Sequence, residues 1–146
     1  MNRLGTINKV LHLKERREEE IEIEVRGLRN EISVKQMRLD SLEGAYMDTL
    51  DEFRRKQACG TLAPQEMVIY QGYLFHLQME IDVRKAEIAR ALTALDARHG
   101  ALVEAHKETR VVEALKDRRT RENVKEELRK ERKEMDSIFT MRQGKP

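Results

Sequence analysis

Four histidines, one cysteine and a dense supply of carboxylates are the groups in this 146-residue chain that could do chemistry. A helical metal or acid–base site needs its ligands one turn apart on a shared face, as in His-Glu-x-x-His. His12, His76, His99 and His106 provide no such pair, and His99 and His106 stand two turns apart, too far to share a metal unaided. The sequence has neither a glycine-rich phosphate loop nor a nucleophile elbow. Its carboxylates fall on solvated helix faces, where nearby water keeps the ionised form favourable. The expectation is therefore a non-enzymatic protein with no catalytic residue, cofactor or metal. Cys59 has no intramolecular partner, which suits a reduced, cytoplasmic setting.

The elements that hold these groups are long helices. Charged residues make up 38% of the chain and aromatics 4%, with no Trp and only two prolines, Pro64 and Pro146. That is the profile of coiled coil rather than of a globular core. Disorder is excluded by apolar residues that recur at regular spacing. A 3,4 alternation runs through Leu4, Ile7, Leu11, Lys14, Glu18, Ile21, Val25, Leu28, Ile32, Lys35, Leu39, Leu42, Tyr46, Thr49 and Phe53. Eleven of these fifteen positions are apolar, which marks a heptad seam.

The seam stops at Cys59-Gly60-Thr61-Leu62-Ala63-Pro64. Gly60 suits a left-handed C-terminal cap, Pro64 suits the first turn of a following helix, and Glu66 falls where a capping carboxylate belongs. Ala63 is a poor cap residue. A second seam then runs through Met67, Tyr70, Leu74, Leu77, Ile81, Arg84, Ile88, Ala91, Leu95, Arg98, Leu102 and Ala105. After Thr109 it weakens; Val112 and Leu115 fit together only by slipping phase, and Val124, Leu128, Met135 and Ile138 form a thinner stripe.

These signals predict an all-α fold, an antiparallel two-helix coiled-coil hairpin. One coiled-coil domain over 1–146 is expected, with helices over about 3–58 and 64–141 and a turn over about 59–63. A loop this short forces antiparallel neighbours, placing Leu4 opposite roughly Thr120. The second helix then overhangs its partner by roughly 30 Å at 1.5 Å per residue. A helix packed on nothing is marginal in water, so the overhang reads as a segment awaiting a partner. Gly27 and Gly100 fall at one level of the hairpin, readable either as tolerated substitutions or as a shared soft point.

From Arg118 to Lys133 there are eight Lys or Arg against four Glu. This is either a solvated face or a docking surface for an acidic protein; stacking aromatics, which nucleic-acid binding would favour, do not occur in it. With a net charge of only +2, the chain does not call for nucleic acid or a membrane. No apolar run approaches the roughly 20 residues that span a bilayer, and Met1 to Thr6 lacks the hydrophobic segment of a secretory signal. Near the turn, Tyr46, Phe53 and Tyr70 belong to the seams, whereas Tyr73 and Phe75 sit off them beside Leu74 and Leu77. Exposed aromatics of this kind suit a contact patch.

Three stretches resemble the FliJ family of flagellar export proteins: Val10-Leu11-His12-Leu13-Lys14-Glu15, the run from Leu62 to Leu74 containing Gln65-Glu66-Met67-Val68-Ile69-Tyr70-Gln71, and Glu131-Arg132-Lys133-Glu134-Met135-Asp136-Ser137-Ile138. Ala63 and Ser137 depart from the family pattern locally. The resemblance implies a cytoplasmic stalk, peripheral at the inner membrane through its partners only. Its paired termini would enter the pore of the export ATPase hexamer. A patch matching Tyr46, Tyr73 and Leu77 would contact the cytoplasmic domain of the export gate, and export chaperones would also bind. Arg118, Arg119, Arg121, Arg129 and Lys130 are the candidate ring contacts. Three alternatives share features of the sequence: the equivalent stalk of a virulence type III secretion system, an RNA-binding coiled-coil arm, and a scaffold that dimerises through its seams. The stalk reading predicts a largely helical, elongated monomer.

Overall fold

The structure is a computed structural model that describes residues 3–144. It contains two helices, α1 (Arg3–Ala58) and α2 (Pro64–Gln143). They pack antiparallel as a hairpin, and α2 is the longer, at 80 residues against 56.

Backbone chemistry explains the turn. Gly60 has φ +68°, and a Cβ disfavours that left-handed conformation. With Gly60 there, its N–H donates to Gln57 O (3.2 Å) and the Thr61 N–H donates to Lys56 O (3.3 Å). This Schellman pair satisfies carbonyls that the last turn of α1 would otherwise leave open. On the other side, the Met67 N–H donates to Ala63 O at 3.1 Å, opening α2 with Pro64 in its first turn.

The chain divides into two compact units, and both helices contribute to each. Residues 22–100 form one. Its core is Leu39, Ile81 and Ile88, with Leu42 and Tyr46 packed against them. Val25, Phe53, Leu77 and Ala91 are buried as well. Near the turn, the Phe53 and Tyr70 rings meet at 5.5 Å, and the Lys56 ammonium lies 5.2 Å from the Tyr70 ring centre. Two cross-helix ion pairs flank this core, Glu24–Arg98 at 3.1 Å and Glu43–Lys85 at 3.7 Å.

The other unit holds residues 3–21 and 101–144 of the described chain. Leu11, Ile21, Ala105 and Thr109 are its buried residues. Thr109 satisfies its hydroxyl by donating to Ala105 O, 3.0 Å away. Lys14 and Glu18, charged members of the first seam, are matched across the helices: Lys14 with Glu108 at 2.9 Å and Glu18 with His106 at 2.5 Å. A charged seam position is tolerated because its stem packs while its head finds a counter-charge at the edge.

All fifteen positions of the first seam are buried or half-buried. The second seam shows the same pattern except at Arg98, which reaches outward to Glu24. Past Thr109 the expected phase slip does not occur. Val112, Lys116 and Arg119 continue the 3,4 spacing and remain half-buried, whereas Leu115 is 52% exposed. Beyond Val112 the α2 side of the interface goes on without apolar residues because long cationic stems can cover it. Beyond Glu122 every described residue is exposed.

Candidate interaction surfaces

Two surfaces stand out, one near the turn and one on the far stretch of α2. Near the turn, α2 presents Tyr73 at 48% exposed and Phe75 at 68%, with Val68 and Ile69 also exposed. Their placement follows from helix geometry: one seam stripe is spent on α1, so apolar residues between seam positions face solvent. Tyr46 is half-buried against the Leu39–Ile81–Ile88 cluster. Leu77 is 4% exposed. Of the three residues matched to a gate contact, Tyr73 thus offers its ring to solvent, Tyr46 offers part of one, and Leu77 supports the surface from beneath. Val68 and Met79 line the same outward stripe as Phe75, at spacings of seven and four. Sequence reasoning passed over them because they lie off the seam, and only their exposure marks them.

The five candidate cations of the basic stretch are spread around α2. Arg118 and Arg119 both engage Glu122, at 3.4 Å and 2.9 Å. Arg119 is held partly in the interface with α1, and Arg118 projects outward. Arg121, Arg129 and Lys130 are exposed. At the level where α1 begins, Arg3, Ile7, Leu115, Arg118 and Arg119 line an open cleft of about 450 Å³. Leu115 belongs to this cleft rather than to the seam.

Glu108 is held below its ordinary carboxyl value, first by its hydrogen bond from Lys14 and then by the charge of that ammonium. Lys56 is held above its ordinary value, chiefly by its interaction with Tyr70. Glu108 is exposed and Lys56 half-buried, each beside a partner on the other helix. Among the described residues, no cluster of three or more His, Cys, Asp or Glu is arranged to hold a metal, and Cys59 is an exposed free thiol. No described helix is long and apolar enough to cross a membrane.

A hairpin of this build, with one turn and an uncovered C-terminal helix, is matched over residues 3–145 by the family model described as "Flagellar FliJ protein". The chain belongs to the FliJ family. It is thus a protein associated with flagellar export. No curated protein and no solved structure matches it. The match spans both helices of this FliJ-family hairpin, the turn and the far stretch of α2.

Proposed function

We infer that this FliJ-family protein is a non-enzymatic stalk that couples the export ATPase to the export gate. One observation carries the reading: α2 continues past the level of Arg3 for about 20 residues, roughly 30 Å of helix, with every described residue after Glu122 exposed. Such a helix packs against nothing in the described chain, so its order is best supported by a host. A hexameric ring with a central pore is a host of the right kind for a rod of one or two helices. Arg118, Arg121, Arg129 and Lys130 would meet acidic groups on the pore wall, with Arg119 anchoring the root of the rod through Glu122. Near the turn, Tyr73 and Phe75, backed by Tyr46 and Leu77, would dock on the cytoplasmic domain of the gate. Export chaperones would bind the same protein when it is off the ring. Its place is then the cytoplasmic face of the inner membrane, held there by its partners.

A chain ended at Glu122 tests this. It should keep the unfolding midpoint of the full chain, since no buried residue is removed, and should no longer retain the export ATPase in a pull-down. Retention of the ATPase at full-length strength would overturn the assignment of the overhang to the ring. Tyr73→Asp should abolish capture of the gate domain without changing ATPase capture.

A further inference from the structure

The exposed apolar stripe beyond Glu122 does not lie on the face that packs against α1. Continued at 3,4 spacing past Arg119, the α1-facing positions would be Asn123, Glu126, Lys130, Lys133, Ser137 and Thr140, with no apolar residue among them. Val124, Leu128, Glu131, Met135 and Ile138 also follow a 4,3 alternation, displaced by roughly a third of a turn. All five are exposed. Two heptads with an independent phase specify a second helical partner, approaching from a direction that α1 does not occupy.

The charges beside this stripe say what that partner is. With Leu128 and Met135 at one seam position and Val124, Glu131 and Ile138 at the other, Glu127 and Glu134 flank it on one side. Lys125, Arg132 and Phe139 flank it on the other. In a parallel pair, the residue before one seam position faces the residue five places later on the other helix. Glu127 then meets the partner's Arg132, twice by symmetry. In an antiparallel pair like flanks meet, Glu against Glu and Lys or Arg against Arg, which is destabilising. One acidic and one basic edge therefore make the stripe complementary to itself in the parallel orientation.

We propose that the α2 segment from Val124 to Ile138 is a self-association surface, forming a weak parallel two-stranded coiled coil with a second copy of this chain. The seams that join α1 to α2 take no part, because they are already filled within each copy. Glu131 would face the partner's Glu131 in the central layer. A charged residue at a core layer lowers stability while holding the register, so the dimer is weak by construction and dissociates readily. It covers the helix that the ring would receive, so dimer and ring-bound forms exclude each other. The dimer itself needs no other protein, and its test is independent of the stalk reading.

The experiment is sedimentation equilibrium of the isolated full chain, from low to high micromolar, at low ionic strength. A reversible monomer–dimer equilibrium is expected. Leu128→Asp should abolish it, and Glu131→Leu should tighten it at least about tenfold. Arg132→Glu should weaken it about fivefold, and Glu127→Arg with Arg132→Glu should restore it. In a Cys59→Ser background, Ile138→Cys should give a disulfide-linked dimer under mild oxidation, since only a parallel pair places that position against its own copy. These positions lie outside the core, so circular dichroism should show every variant folded. A chain that stays monomeric at the highest concentration even as Glu131→Leu overturns the proposal. So does a dimer that Leu128→Asp leaves intact, or one that the double charge exchange fails to restore.

Discussion

Ile81→Ala, set beside Leu128→Ala, asks whether the two apolar stripes of α2 differ as the structure says. Ile81 is 3% exposed in the cluster with Leu39 and Ile88, and Leu128 is 54% exposed. Truncating Ile81 removes three carbons from a buried site, a transfer loss of about 2–2.5 kcal/mol at roughly 0.8 per methylene. A cavity term adds to this, but a two-helix interface opens to solvent on both edges, so the void can close or hydrate and the addition stays small. The expected cost is about 2–3 kcal/mol, at the low end of the range for such truncations in enclosed cores. Leu128→Ala should cost less than about 0.5 kcal/mol, as a surface change does. Urea unfolding followed by circular dichroism at 222 nm, at a protein concentration too low for association, measures both. The reasoning fails if the two variants lose comparable stability, or if Ile81→Ala costs less than about 1 kcal/mol, the scale of a single buried methylene.

Other outcomes follow from the same structure. A Cβ at Gly27 or at Gly100 would meet nothing within 4 Å, so Gly27→Ala and Gly100→Ala should each raise stability by about 0.5–1 kcal/mol, read as a higher urea midpoint; a loss would show a glycine requirement that the backbone does not reveal. Gly60→Ala should cost about 1–2 kcal/mol, because φ +68° is retained only at the expense of strain; calorimetry would show an unchanged melting temperature if the Schellman turn were dispensable. Glu108, lowered by Lys14, contributes stability above its unfolded carboxyl value, and that contribution is lost as pH falls through the lower folded value. Lys14→Met should therefore be destabilising at pH 7, with the deficit shrinking as pH falls below the ordinary carboxyl range; a deficit that stays constant on acidification would trace the effect to packing of the Lys14 stem.

The unequal legibility of the two ends of this chain has a physical cause. Around Leu39, Ile81 and Ile88 the apolar side chains are both the periodic signal and the material of the interface, so spacing alone located the core. Beyond Thr109 the interface is covered by Lys116 and Arg119, whose hydropathy carries no such signal, and Leu115 drew attention away from the true phase. The contact residues divide in the same way. The resemblance pointed to Tyr46, Tyr73 and Leu77 together, and the folded chain separates an exposed ring from a buried support.

By itself the amino-acid sequence determined that there are two helices, where they turn and in which register they meet. Heptad spacing, one left-handed glycine and a loop too short for any other connection leave no second solution. Which side chains are spent inside the hairpin, and which remain for a partner, was settled only by the packed helices. Spacing fixes where a residue lies on its own helix, whereas burial also depends on what stands opposite, as Glu18 beneath His106 and Lys14 beside Glu108 show.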